Sequence, residues 1–502
     1  MTIINRRSNL PYIFLTCLLV VSSLLLVNNS FSKAIFLAVL FFVFGIKICK
    51  SKHKILTSLM FGLIVLPYNI TFQLPENIDV LGKKITLNDS YTNGMSVNYL
   101  IPTLSILDVF IFITLFSFIY SLGIKKIAKR LSNYKYSLIL ILLFFIIQNI
   151  FIKEFLSVFN SIRIYAVIVS FLLIVDYLKN LHSVNSKKLL IKNAIIINLI
   201  NTLIQGIVSI LQFLMGESIG LYFLGESKLL AGKVYSSFIT FNNSVYLRAY
   251  GTFPHPNVLA GFFLFTILFT FFLYRISNKE ALRSICRATL LLCNFFVIIT
   301  FSRLGILLSI LSTTVLLTSY YWKNKKLKIN FNNNKHIESR KNNRDDKNYS
   351  FAGLFLSRFT KLFSGNDNSI TERIQLIKVS FSIIKRNYLV GTGIGNFVRN
   401  IGEEVPYSAK GVKILQPVHN IFLLCLSDLG IIGMMIFVYS FIDFCRKNIG
   451  IITLFKMAIL TDILLIGFFD HYLIDLPQGI FILCGLLCLC VLNKRREWDS
   501  NP

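Results

Sequence analysis

The chain has 502 residues, of which 55% are apolar, 14% aromatic and only 15% charged, yet it carries a net charge of +29. Soluble domains hold roughly 25% charged residues, and a mean hydropathy of +0.67 cannot be hidden from water in domains of ordinary size. A basic nucleic-acid binder concentrates its charge on a soluble module, and no stretch here is both basic and globular, so nucleic acid is not an expected partner. What remains is an all-α, polytopic membrane bundle of about 12–14 helices with its Lys and Arg in loops.

Apolar runs of about 17–25 residues predict spans near 10–28, 31–48, 55–71, 103–123, 136–152, 162–178, 190–215, 257–274, 284–301, 303–322, 420–442, 451–469 and 477–492. Pro67 shortens the third. No cleavage-site pattern follows the first, which reads as a retained helix. Almost nothing separates the two runs around Arg303, so they predict a tight helical hairpin. With the N-terminus cytoplasmic, 34 of the 52 basic residues fall on cytoplasmic segments, and 72–102, 216–256, part of 350–419 and 470–476 lie opposite. Parity then requires one further crossing before residue 419, for which 351–363 (FAGLFLSRFTKLF) is the apolar candidate.

These features divide the chain into N-terminal membrane helices (1–189), a membrane core with the Arg248 loop and the Ser302-Arg303 hairpin (190–322), and a basic low-complexity loop (323–349). An extracytoplasmic loop with an amphipathic surface helix (350–419), C-terminal membrane helices (420–493) and a cytoplasmic tail (494–502) follow. The nine cysteines lie in or beside spans and lack metal or disulfide spacing, and no cofactor or metal is expected.

Four constellations carry possible chemistry. In the first, Arg248-Ala-Tyr-Gly251-Thr-Phe-Pro254-His255-Pro256-Asn257, two prolines enforce an extended entry and Asn257 suits an N-cap. Arg248 is either an interfacial anchor or a five-donor fork for diphosphate. In the second, Ser302-Arg303-Leu-Gly305, the arginine is either a snorkelling anchor or a further cation.

The third begins with the capping box Ser369-x-x-Glu372. It opens a helix carrying Arg373, with Ile374, Ile377, Phe381 and Ile384 on an apolar, membrane-lying face and Lys378, Lys385 and Arg386 on the polar side. The glycines of Gly391-Thr-Gly393-Ile-Gly395 then predict a tight turn with close backbone packing, since the strand–loop–helix context of a nucleotide loop is absent.

The fourth is His419-Asn420, nine residues, then Gly430-x-x-Gly433, whose glycines permit close helix approach. His419 is either structural or a general base, and Asp428 is an intramembrane carboxylate that needs a partner. Asp470-His471 reads as a supporting pair, and Asp108 and Asp462 as helix-to-helix hydrogen-bonding groups.

In this order, RAYGTFPHPNVLAG (248–261), Ser302-Arg303-Leu-Gly305, Arg373 with GTGIGNF (391–397) and HNIFLLCLSDLGIIG (419–433) resemble the bacterial O-antigen ligase and O-antigen polymerase superfamily of membrane glycosyltransferases. The resemblance covers about residues 190–490. It departs in the polar 323–349 region, where relatives carry a clear span, and in Asp428, where they often carry Glu.

The resemblance implies an undecaprenyl-diphosphate-linked (polyisoprenyl) glycan donor, a lipid or glycan acceptor, and a site on the extracytoplasmic face of the bacterial inner membrane. Catalysis would be metal-independent and inverting. His419 would remove the acceptor proton while Arg248 and Arg373 stabilise the leaving diphosphate. Arg303, His255, Asn257, Asn420 and Asp428 are further substrate-binding candidates, and Gly251, Gly430 and Gly433 structural ones. A ligase reading stands beside a repeat-unit polymerase. A lipid-linked oligosaccharide flippase is the alternative from another class, against which stand the lack of internal repeats and the gathering of polar motifs at one membrane face.

Overall fold

The computed structural model describes residues 53–324 and 368–492, apart from short loop segments at 75–76, 81–82, 87–89, 93, 182, 234–235, 242–243, 403–404, 408–410 and 412. The two expected spans before residue 53, the basic loop from 325, the extra crossing at 351–363 and the cytoplasmic tail lie outside the described residues.

The helices in chain order are α1 (Lys54–Val65), α2 (Ile106–Leu122), α3 (Ile124–Leu131), α4 (Lys135–Ile152), α5 (Phe155–Lys179), α6 (Val184–Met215) and α7 (Pro256–Ile276). They continue as α8 (Glu280–Ile299), α9 (Arg303–Asn324), α10 (Asn368–Arg386), α11 (Ile421–Asn448), α12 (Leu454–Phe469), α13 (Tyr472–Asp475) and α14 (Pro477–Leu492). Each span expected from residue 55 onward coincides with one of them. Among the described residues, six helical segments are long and apolar enough to cross a membrane: Ile124–Ile152, α5, α6, α7, α8 and α11. The chain is therefore a multi-pass helical membrane protein.

Several boundaries differ from the hydropathy limits. Helix α5 starts at Phe155 and α6 at Val184, because polar residues that end an apolar run do not end backbone hydrogen bonding in the headgroup region. Helix α1 stops at Val65, before Pro67.

The sequence pattern carried no strand signal, and the strands present are short antiparallel pairs in connections. Strands β1 (Thr71–Gln73) and β2 (Thr103–Ser105) pair, as do β3 (Phe238–Phe241) and β4 (Ser244–Leu247). The β3–β4 hairpin delivers the chain to Arg248.

Helix α7 is the hub of the core. It packs on α6, α8, α9 and α14, and Val258, Leu259, Phe262, Phe263, Ile267 and Leu268 are all at most 1% exposed. Lipid-facing helices keep apolar side chains outward, as at Leu291 (75%) on α8 and Phe151 (71%) on α4. This is the pattern expected where the surroundings are hydrocarbon.

The connections sort to two ends of the bundle. At one, Arg130 pairs with Asp176 at 2.5 Å, Lys179 donates to Asn448 at 2.6 Å, and Ser137 donates to Asp443 at 3.2 Å. At the other lie the β pairs, the 248–256 turn, the 300–302 turn, and residues 387–420 and 470–476. The expected α8–α9 hairpin is present, its turn closed by Phe301 at φ 49°.

Two of the three expected intramembrane carboxylates, Asp462 and Asp108, have partners on other helices. Ser312 donates to Asp462 at 2.7 Å. Asp108 completes a capping box with Ser105 and accepts from Arg163 Nε at 2.8 Å and Nη2 at 2.9 Å. Arg163→Ala leaves that carboxylate without its cation and is expected to cost about 1.5–3 kcal/mol. The check is thermal melting in detergent, in which the double variant with Asp108→Asn recovers part of the loss.

Candidate active site

Asp470 is the point where three of the four motifs meet. Helix α12 ends there with an extended residue (φ −155°, ψ 165°), which turns the carboxylate into the bundle, where its side chain is 8% exposed. Its Oδ2 accepts from Asn257 Nδ2 at 2.8 Å, and its Oδ1 accepts from the His471 backbone N–H at 2.9 Å. His419 Nδ1 faces the same Oδ1 at 3.4 Å.

The Arg248 motif reaches Asp470 through Asn257. Arg248, 5% exposed, donates from Nη2 to Asn257 Oδ1 and from Nε to the Thr300 carbonyl, both at 3.0 Å. The second bond ties the motif to the turn that precedes Ser302-Arg303. Ser302 caps α9, its Oγ accepting from Gly305 N at 3.4 Å, and half-buried Arg303 is the first residue of that helix.

The expected N-cap at Asn257 falls instead on His255, whose Nδ1 accepts from Asn257 N at 3.2 Å. Pro256 takes the first helical position, where a missing N–H costs nothing. Extended His255 (φ −152°, ψ 147°) is then the capping residue, and the Asn257 side chain is released to bridge Arg248 and Asp470. Burial, reinforced by Arg248, pushes the His255 imidazole down to about 3. It therefore stays neutral, which suits an acceptor cap. His255 Nε2 lies 3.2 Å from Ser237 Oγ.

Arg373, in the first turns of α10, donates from Nη1 to the Phe469 carbonyl at 2.9 Å, one residue before Asp470. Asn420 caps α11 by accepting from Leu423 N at 2.9 Å and donates to the Phe468 carbonyl at 3.1 Å. This clamps the start of α11 to the end of α12 and sets His419 against Asp470. Burial lowers the His419 pKa, only partly offset by Asp470. Although burial alone would raise it, the hydrogen bond with His419 and the surrounding imidazoles hold the Asp470 carboxyl well below its ordinary value.

Asp475 was not legible as a site residue, and His471 only as half of a supporting pair. Asp475 Oδ2 lies 2.6 Å from His471 Nδ1, and the His471 ring centroid is 4.9 Å from that of His419. The signal was the i, i+4 spacing of His471 and Asp475. Ligand-type atoms of His419, Asp470 and His471 lie within 4.8 Å of one another. Each of these residues is already committed to a protein partner, so the group forms a hydrogen-bonded chain.

The fourth motif divides. His419 and Asn420 join the cluster, whereas Asp428 and Gly430 hold the glycine loop. Helix α11 breaks at Gly430 (φ 64°, ψ −175°). The freed backbone groups are taken up by the loop: Thr392 N donates to Ser427 O at 3.0 Å, Gly393 N to Asp428 O at 2.9 Å, and Ile431 N to Tyr388 O at 2.8 Å. The Asp428 carboxylate accepts from Gly395 N at 2.8 Å, and Gln148 of α4 donates to the Val390 and Asp428 carbonyls at 2.6 and 2.8 Å.

The turn expected from Gly391, Gly393 and Gly395 is thus present, all three at positive φ. A Cβ on Gly391 would lie 2.4 Å from the Asp428 carbonyl, and one on Gly430 2.4 Å from the Leu389 oxygen. Close helix approach belongs to Gly433, where a Cβ would meet Phe144 of α4 at 2.4 Å. Gly251 (φ 59°) packs as closely on Gln205, at 2.5 Å.

Helix α10 differs from its expected amphipathicity. Leu376, Val379 and Ile383 are buried against Val398, Ile401 and Val418, so this second stripe forms the protein-facing side. The predicted face is the outward one, with Ile374 49% and Phe381 58% exposed between exposed Lys378 and Lys385. The Ser369 side chain lies outside the described residues.

A cavity of about 650 Å³ lies between α4, α5, α11 and α14. Pro254, Pro417 and Asp475 line it at the site end, apolar residues such as Ile168 and Leu172 along its length, and Tyr134 and Phe444 at the far end.

Residues 288–438 match the family model described as O-antigen ligase, which supports the superfamily resemblance carried by the motifs. No curated protein matches the chain.

His255→Ala removes the α7 cap and is expected to cost about 0.5–2 kcal/mol, whereas His255→Asn restores most of it. Gly430→Ala forces a side chain into the Leu389 carbonyl and is expected to lower the detergent melting temperature more than His255→Ala does.

Proposed function

We propose that this chain, with its O-antigen ligase domain over 288–438, moves a glycan from a polyisoprenyl-diphosphate carrier to an acceptor hydroxyl at the extracytoplasmic face of the bacterial inner membrane. O-antigen ligase-like glycosyl transfer is the general activity of the family. The donor, the face and the mechanism are the reading offered here. The observation that carries it is the convergence of Arg248, Arg373 and His419 on Asp470.

His419 is the base. Its imidazole is neutral near pH 7, and Asp470 beside Nδ1 orients the ring and stabilises the imidazolium that forms, as a carboxylate does for a catalytic histidine elsewhere. The acceptor oxygen gives its proton to His419 and attacks the anomeric carbon from the face opposite the diphosphate. The carbon–oxygen bond to the diphosphate breaks, its electron pair leaves on phosphate, and the anomeric centre inverts.

Charge accumulates on the leaving group. Preorganised cations meet that charge without reorganisation. Arg373 supplies one at the surface of the site. Arg248, buried and fixed by Thr300 and Asn257, supplies the other from its wall. The apolar cavity beginning at Asp475 is suited to the isoprenyl tail, with the diphosphate at its site end.

The ligase reading takes its support from the matched family model. In a deletion strain, long lipid-linked chains without a terminal acceptor are expected on a glycan gel. Single capped repeats would instead assign the chain as a polymerase.

His419→Ala is expected to lower transfer about 10²–10⁴-fold, and Arg248→Ala or Arg373→Ala about 10²–10³-fold, with membrane insertion retained. The assay is transfer from a lipid-linked oligosaccharide in isolated membranes, and near-normal rates in all three variants would sink the active-site assignment. Because burial lowers the His419 pKa, the rate falls on acidification only below the ordinary imidazole value of about 6.5.

A further inference from the structure

Two aspartate–histidine pairs meet ring to ring at the site, and the transfer mechanism uses only one of them. His419 faces Asp470, while His471, 4% exposed, is gripped by Asp475 at 2.6 Å. The pairs are mechanically joined, because the His471 backbone N–H donates to the same Asp470 oxygen that faces His419. Asp475 sits four residues on, across the single turn of α13, so its grip fixes the His471 ring relative to Asp470.

Taking His419 as the base, we propose that His471 is a positioning residue for it: an imidazolium locked by Asp475 that braces Asp470 and keeps His419 uncharged until the acceptor arrives. A fixed positive charge one ring away from His419 opposes protonation of His419 by bulk water. The proton abstracted in the reaction is still accommodated, because the Asp470 carboxylate faces His419 Nδ1 and stabilises the imidazolium that forms there.

The groups facing His471 support that charge state. Asp475 from α13 and Asp470 from the end of α12 favour the cation, while burial and Arg373 of α10 oppose it. Its pKa is raised in balance. For His419, at the start of α11, burial, His471 and Arg373 act together against Asp470, and the pKa is lowered. Tyr99 from the 98–100 turn faces Asp475 and Asp470, and His255 of the α7 cap, itself neutral, faces Asp470. Two imidazoles with the same intrinsic affinity for protons are therefore pushed apart, which separates the proton holder from the proton acceptor.

The test is the pH profile of transfer in membranes, with a fluorescent polyisoprenyl-diphosphate-linked oligosaccharide as donor, for wild type, His471→Gln and Asp475→Asn. Removing the neighbouring charge raises the His419 pKa, so the acid limb is expected to move up by about one pH unit in both variants, a tenfold loss of rate at a pH inside the limb. A uniform drop in rate with the limb unmoved would mean a merely structural role and would overturn the proposal, as would a limb that moves down.

Should His471→Gln fail to accumulate, Asp475→Asn preserves the ring and the shape of the turn and carries the same expectation. The wild-type profile is an independent check, since an acid limb at or above about 6.5 contradicts a neutral-held His419. The outcomes separate the two levels. Normal transfer by His419→Ala removes the base itself, whereas an inactive His419→Ala with unmoved limbs in both dyad variants removes only the role of His471.

Discussion

A carboxylate that is 8% exposed must be surrounded by donors or it will not stay ionised. Asp470 meets that requirement with donors from two distant parts of the chain, Asn257 at the start of α7 and His419 before α11, and with the backbone N–H of the adjacent His471. The rest of the site follows from this arrangement. Asn257 can reach Asp470 only because His255 has taken over the helix cap, and Arg248 is oriented only because Asn257 presents its oxygen. Satisfying one buried charge fixes the positions of Arg248 and His419, which flank it.

A second constraint acts on the backbone. A membrane helix that breaks must have its exposed carbonyls and N–H groups taken up by protein, since hydrocarbon offers no partners. The break in α11 at Gly430 is answered by residues 388–395, paired along it as a short non-helical ribbon, and by the Gln148 side chain from α4. Asp428 belongs to this repair through Gly395 N. The glycine motif is thus a structural fastening. It anchors the chain that follows α10, and α10 in turn holds Arg373 over the end of α12.

These two devices have different chemical consequences. The Gly430 fastening is buried and serves rigidity. The Asp470 cluster combines cations, a carboxylate and two imidazoles at the membrane-end surface of the bundle, where a charged headgroup can be met by preformed charge. The outward stripe of α10, with Ile374 and Phe381 between Lys378 and Lys385, is composed as an interfacial surface beside that cluster.

Hydropathy alone determined the helical class and each described span, because burying an apolar run in hydrocarbon is a local property of about 20 residues. The motif order likewise marked Arg248, Arg373 and His419, and the absence of a βαβ context correctly made the 391–395 glycines a turn. Helix ends were less legible, as at α5 and α11, because backbone hydrogen bonding continues past the apolar run. The division of labour within motifs could not be read from spacing. Whether Asn257 caps or bridges, whether Asp428 faces substrate or a glycine loop, and whether Asp475 belongs to the site at all depend on which donors lie opposite. Those donors come from helices up to some 200 residues away, as for Asn257 and Asp470. The sequence by itself determined which segments form apolar helices and which residue types could do chemistry. Only the tertiary structure decided which of them share a proton, because a buried charge is satisfied by neighbours in space and not by neighbours in the chain.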